Sequence, residues 1–356
     1  MTNSEVPQAV SEPVAILGGG SFGTAIANLI ASNGFAVTLW LRDPARAARI
    51  SEERENRDYL PGYRLADNLR VTSDMSEALQ GASCVFFSIP SKSMREVARL
   101  ASPLIGPDVM VVSSAKGIEG DGFKLMSEVL AEELATDRIG VLSGPNLARE
   151  IAEGQITATV IASKDAQLSR AVQKLMRSSR FRVYSSEDPF GVELAGALKN
   201  IYAIEAGIAS ALKLGQNPMS VLITRSLAEM SRFATSLGAD PMTFLGLSGV
   251  GDLFVTCTSP LSRNFRVGYA LGQGKSLSEA QREVGQVAEG VKTTRIVREK
   301  AAELGIYMPL ASALYEVMFN NRPIEALLRD MMSSEQSTDV DFRQGKSHGK
   351  PKPLQP

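Results

Sequence analysis

The stretch VAILGGGSFGTAIANLI, residues 14–30, decides how the first half of the chain is read. Residues 14–17 are apolar and fit a buried strand; from residue 22 onward apolar side chains recur at helical spacing. Between them, Gly18, Gly20 and Gly23 form G-x-G-x-x-G. The first glycine permits a tight turn, the second lets the backbone approach a pyrophosphate, and the third lets helix and strand pack closely. The helix start then offers free N–H groups and a partial positive charge to phosphates. A lone glycine turn is often only a turn. The strand–turn–helix setting is what points to dinucleotide binding. No Gly-Lys-Ser/Thr follows, so this is not a nucleoside-triphosphate loop.

Outward from this stretch, short apolar runs alternate with helical patterns. The strand candidates are 14–17, 37–41, 84–89, 109–113, 138–143, 157–162 and 181–185. Helices are expected at 22–32, 92–101, 123–135 and 166–177. Such alternation predicts an α/β fold, a Rossmann-like doubly wound parallel sheet covered by helices on both faces. After Asp188 the texture changes to helical patterns alone: 190–212, 218–237, 262–272, 278–284, 290–304, 310–319 and 323–331. The expected organisation is a flexible tail at 1–12, a dinucleotide-binding domain at 13–189, an all-helical substrate and catalytic domain at 190–332, and a disordered tail at 333–356.

Composition removes whole classes of chemistry. Against 38 basic residues stand 39 acidic ones, so no long-range field draws nucleic acid or anionic membrane. Two distant cysteines, Cys84 and Cys257, form neither a disulfide framework nor a CxxC site. The N-terminus has no basic flank and apolar run of a signal peptide, and no run would cross a bilayer. The expectation is a cytoplasmic enzyme without metal. The single histidine, His348, lies in the polar tail. Proton transfer must then fall to Lys, Asp, Glu, Tyr or Cys.

One candidate is conspicuous. In ELAGALKNIYAIEAG (193–207), Lys199 sits within an apolar helical pattern, where desolvation lowers a lysine's pKa toward neutrality. The small residues Ala195 and Gly196, one turn earlier, would leave room for cofactor or substrate. In 246–268, Ser262-Arg263-Asn264 at a helix start could cradle a phosphate, or be a helix cap beside a surface arginine. Lys116 and Gly144-Pro145-Asn146 follow strands, on the side of the sheet where such folds bind ligands. Asp252 could orient the lysine, accept a substrate hydroxyl, or cap a helix. At the end of the second strand, Arg42 favours NADP(H) through a 2′-phosphate, while Asp43 leaves NAD(H) open.

Together these motifs resemble the bacterial NAD(P)-dependent glycerol-3-phosphate dehydrogenase family. The resemblance is carried by GGGSFGTAIA, VTLWLRD, YLPG, AKGIE, SGPNLARE, ELAGALKNIYAI, GVGDLFVTCTSPLSRN and VAEGVKT, in that order, over about residues 14–330. It implies reversible reduction of dihydroxyacetone phosphate to sn-glycerol 3-phosphate, a precursor for phospholipid synthesis. Lys199 matches the family's proton acceptor/donor. Ser21, Phe22, Arg42, Ala148, Val287 and Glu289 match dinucleotide contacts, and Lys116 and Arg263 match contacts shared with substrate. Gly144, Asp252, Ser262 and Asn264 match substrate contacts. Asn146 stands where the family usually has Ser or Thr, and Phe22 where it usually has Trp. A homodimer is expected through apolar helices of the second half. Two other readings compete: a related lysine-based dehydrogenase of hydroxy or sugar acids, and a non-catalytic NADP(H) sensor.

Overall fold

A computed structural model describes residues 13–120 and 122–333; the expected tails at 1–12 and beyond Ser333 lie outside them. Eight strands form the main sheet: β1 (Val14–Leu17), β2 (Val37–Trp40), β3 (Leu69–Thr72), β4 (Cys84–Phe87), β5 (Met110–Ser113), β6 (Ile139–Ser143), β7 (Thr157–Ala162) and β8 (Phe181–Ser186). Their order is β8-β7-β6-β5-β4-β1-β2-β3. Alternate residues bury on opposite faces, as a pleated strand requires. Ile16, Leu39, Phe86 and Val112 pack with Ile26 and Ile30 of helix Ser21–Ser32. Leu17, Trp40, Phe87 and Val111 pack with Met94 and Val97 of helix Met94–Ala101 on the other face.

The seven expected strands are all present, with two differences. β3, LRVT, is an additional edge strand pairing β2 in parallel register. The sheet is also not parallel throughout: β7 runs antiparallel to β6, and β8 follows β7 in parallel. The connections explain this. A parallel crossover must carry the chain back along the whole sheet. The only helix between β6 and β7 has five residues, Ala148–Ala152, and rises roughly 7.5 Å, too little to return along a strand of about 17 Å. Helix Ala166–Met176, between β7 and β8, has 11 residues and is long enough.

From Pro189 the described chain is helical. The central helix, Pro189–Ala211, starts with Asp188 as N-cap to Gly191 N and proline in its first turn. It is buried along nearly its whole length by helices Gln216–Ser236, Asp252–Thr258, Arg263–Gly272 and Glu289–Leu304. Helix Arg263–Gly272 comes unusually close. A Cβ on Gly268 would lie 1.8 Å from the Ile204 carbonyl oxygen, and one on Gly207 2.0 Å from that of Phe265. Two buried glutamates join elements at helix starts. Glu193 accepts from Ser127 N (3.0 Å) and its hydroxyl, tying the central helix to helix Met126–Glu133 beside the sheet. Glu229 accepts from Leu310 N (3.0 Å) and Ala311 N (2.9 Å) at the start of helix Pro309–Asn320.

The Gly268 contact can be tested directly. Gly268→Ala should cost at least the roughly 1–3 kcal/mol typical of overpacking, seen as a lower midpoint in thermal or urea melts. Gly106, around which a Cβ would meet nothing within 4 Å, is the control. Equal melting of Gly268→Ala and the unaltered chain would show that the helices have room to separate.

Candidate active site

The glycine loop has the form the sequence suggests. Gly18 has φ +126°, and a Cβ there would lie 2.3 Å from the Ser88 carbonyl oxygen. At Gly23 a Cβ would fall 2.0 Å from the Gly18 carbonyl oxygen. At Gly20 it would meet nothing within 4 Å, so the backbone there faces open space in front of the helix start. That is the shape a pyrophosphate needs. Ser21 opens the helix, and Phe22 is half-buried against one face of the sheet. Behind the loop, the Gly19 carbonyl accepts from Arg46 Nη2 (2.9 Å) and Asn56 Nδ2 (3.0 Å). Neither residue carries a motif; only folding brings the hairpin 55–64 under the loop.

After β2, Arg42 and Asp43 take different parts. Asp43 caps helix Pro44–Glu53, accepting from Ala45 N (3.0 Å) and Arg46 N (3.2 Å). Arg42 is exposed, in a surface pair with Glu96 at 3.2 Å. Ala148 opens the short helix packed beside Ser21–Ser32. Val287 is part-exposed just ahead of helix Glu289–Leu304.

The densest chemistry lies where the two parts of the chain meet. Asp252, 1% exposed, accepts from Lys116 Nζ at 2.6 Å and from Lys199 Nζ. Lys116 arrives on the loop after β5 and also donates to the Gly144 carbonyl (3.2 Å), just past β6. Lys199 arrives from the middle of the central helix and also donates to Thr256 Oγ1 (2.7 Å). Asp252 and Thr256 share a face of helix Asp252–Thr258, four residues apart. A π-helical turn, Leu247–Gly251, leads into that helix. Burial pushes the Lys199 ammonium down to about 7; the Asp252 carboxylate opposes this and the Lys116 charge adds to it.

Ser262 caps helix Arg263–Gly272, accepting from Phe265 N (3.3 Å), while Arg263 begins the helix and is exposed. Asn264 turns inward: its Nδ2 donates to Asn200 Oδ1 (2.9 Å) and its Oδ1 accepts from Gly290 N (2.9 Å). Asn200 in turn donates to the Lys116 carbonyl (3.3 Å). Asn146 points its Nδ2 at Thr159 Oγ1 (2.7 Å), and its Oδ1 is buried with no partner. Glu289 accepts from Ser91 N (3.0 Å) and Ser91 Oγ (2.7 Å). One expectation is corrected: Gly196 opens no ligand space, because a Cβ there would lie 2.6 Å from Ser143 Oγ. Its small size lets the central helix approach β6, and Ala195 is wholly in the core. Thr256 and Asn200 escaped the sequence reading. The available signals were the i, i+4 spacing from Asp252 and the position beside Lys199.

Residues 13–169 match the family described as NAD-dependent glycerol-3-phosphate dehydrogenase N-terminus, and residues 188–329 its C-terminus. The glycerol-3-phosphate dehydrogenase [NAD(P)+] of Saccharophagus degradans is 55% identical over 332 residues, covering 93% of each chain. That of Teredinibacter turnerae is 54% identical, covering 93% of this chain and 98% of the relative. Among solved structures, glycerol-3-phosphate dehydrogenase from Coxiella burnetii superposes with a TM-score of 0.87 at 37% identity, over 91% of this chain and all of the other. The chain is an oxidoreductase that belongs to the NAD-dependent glycerol-3-phosphate dehydrogenase family.

Proposed function

We propose that the chain catalyses reversible reduction of dihydroxyacetone phosphate to sn-glycerol 3-phosphate, with Lys199 exchanging the proton and NADP(H) as the preferred cofactor. The observation that carries this reading is the buried Lys199 ammonium, held near neutrality beside Asp252 and Lys116. A nicotinamide held at the glycine loop would supply a hydride for the carbonyl carbon. Lys199 gives its proton to the carbonyl oxygen as the C–O double bond becomes single, and takes it back in the reverse direction. A group with a pKa near ambient pH serves both directions. Asp252 fixes the direction of Lys199 and stabilises its charged form.

Charge also fits a phosphorylated substrate. Two ammoniums against one carboxylate leave a net positive centre, and Arg263 adds another cation at a helix N-terminus. Ser262 and Asn264 are partly committed to the fold, so Arg263 and Lys116 are the main phosphate-binding groups. Gly144, at positive φ (+141°), gives its carbonyl to Lys116 and stands two residues before Asn146. A substrate hydroxyl would satisfy the buried Asn146 Oδ1. Gly18, Gly20, Ser21 and Gly23 would hold the pyrophosphate of a dinucleotide, and Phe22, Ala148, Val287 and Glu289 would contact the rest of it. Arg42 would read the 2′-phosphate, while the neighbouring Asp43 holds its helix cap through Oδ1. The protein acts in the cytoplasm as a homodimer.

Lys199→Met should lower kcat by about 10²–10⁴-fold and leave NADPH binding in place. Comparable turnover in the variant would remove the lysine from proton transfer. Arg42→Ala should raise KM for NADPH about tenfold or more with little change for NADH, as expected for loss of a charge-assisted contact. A parallel rise for both cofactors would end the 2′-phosphate assignment.

The pH profile gives a third test. Reduction needs protonated Lys199, so its rate should fall as pH rises past about 7, and the oxidation rate should rise over the same range. Asp252→Asn removes the charge that favours the ammonium and should move the reduction limb to lower pH. Lys116→Met removes a like charge and should move it higher. Limbs that stay fixed in both variants would mean that another group titrates.

A further inference from the structure

Ser91 belongs to none of the glycine, lysine or phosphate-cradle motifs. It is 6% exposed, at the start of the turn after β4, three residues beyond the Ser88 carbonyl that backs Gly18. Both of its donors are given to one carboxylate from the other part of the chain. Its N–H reaches Glu289 Oε1 at 3.0 Å and its hydroxyl reaches Oε2 at 2.7 Å. A third segment closes on the pair. A Cβ on Gly117, beside Lys116, would lie 2.6 Å from both Ser91 Cβ and Oγ, and 3.0 Å from Glu289 Oε2. This glycine is required by contact, since its φ is ordinary.

The pair is joined through the backbone at the helix start to a further chain of hydrogen bonds. Glu289 opens helix Glu289–Leu304, and the next N–H, that of Gly290, donates to Asn264 Oδ1. Asn264 donates to Asn200, next to Lys199, and Asn200 donates to the Lys116 carbonyl. The start of this helix is thereby held at two points, by Ser91 from the sheet and by Asn264 from the helix that carries Arg263. A carboxylate oxygen accepts more than one bond. With one lone-pair direction on each oxygen taken by Ser91, Glu289 keeps acceptor capacity for a ligand donor such as a ribose hydroxyl or a carboxamide N–H.

We propose that Ser91 is a positioning residue for the dinucleotide, acting by fixing the Glu289 carboxylate over the crevice beside the glycine loop, with Gly117 as the contact that keeps the two together. The inference rests on the reading of Glu289 as a cofactor contact, and the test separates the two. NADPH dissociation constants would be measured by fluorescence titration of the whole protein for Ser91→Ala, Glu289→Ala, the double variant and Gly117→Ala. Steady-state kinetics with dihydroxyacetone phosphate would accompany them. Each single substitution at 91 or 289 should weaken NADPH binding about fivefold to tenfold, the effect of one typical net hydrogen bond. The loss should fall on the NADPH KM far more than on kcat. The double variant should bind no more weakly than Glu289→Ala alone, because Ser91 acts through that carboxylate. Gly117→Ala, which removes no polar group, should weaken binding in the same direction by pushing the pair apart.

Normal NADPH binding by Glu289→Ala would overturn the cofactor role of Glu289 and the inference with it. Weak binding by Glu289→Ala beside normal binding by Ser91→Ala would overturn the inference alone. So would a double variant whose loss is the product of the two single losses, since Ser91 would then act on its own.

Discussion

The Asp252 carboxylate, held between Lys116 and Lys199, is the interaction on which the rest of the arrangement depends. It is almost fully withdrawn from water, and so is Lys199. A buried charge of this kind persists only when its partners are in place, and removing one partner of a buried pair typically costs about 3–5 kcal/mol. The two lysines reach it from different parts of the chain, one from the loop after a sheet strand and one from the middle of the central helix. The same contact therefore sets the chemistry and joins the helical part to the carboxyl edge of the sheet. The π-helical turn before Asp252 and the Gly144 carbonyl on Lys116 place the partners with backbone geometry instead of further charges.

Such a site needs close backbone approach, and small residues supply it. Gly196 lets the central helix lie against β6, which sets how far Lys199 stands from Lys116. Gly207 and Gly268 let helix Arg263–Gly272 lie against the central helix, which sets where Arg263 and Asn264 enter. Gly290, where a Cβ would lie 2.4 Å from the Asn200 carbonyl oxygen, does the same for the helix that carries Glu289. The run of alanines and glycines around Lys199 is explained by chain packing on chain. Open space lies in front of Gly20.

Local patterns carried most of the fold. The G-x-G-x-x-G turn, the apolar strand runs and the helical spacing after Asp188 are short-range signals, and each element they predicted is present. What escaped depends on relations between distant segments. The reversed direction of β7 follows from the length of a connection, which strand alternation does not register. Helix Asp252–Thr258 contains β-branched residues of low helix propensity and is held by burial of Leu253 and Cys257. Helix Pro44–Glu53 carries a local start signal, Asp43 as cap followed by Pro44, beside an arginine that reads as a cofactor contact. Lys199 stood out because a charge in an apolar helix is costly. Asn200, Thr256 and Ser91 did not, because a neutral polar residue acquires meaning only from the partner it meets.

The electrostatics of Lys199 connect structure to reversibility. Burial alone would drive the amine to its neutral form, leaving a good base and a poor acid. The Asp252 carboxylate alone would hold the ammonium, leaving the opposite. Lys116 shares that carboxylate and repels Lys199, so Asp252 is not free to restore an ordinary lysine. The three influences leave Lys199 near 7, where it can lose or gain a proton at little cost. A group with this property suits proton exchange in both directions, and among the described residues, which include no histidine, it arises from setting the buried Lys199 against the half-buried Lys116 across a single carboxylate.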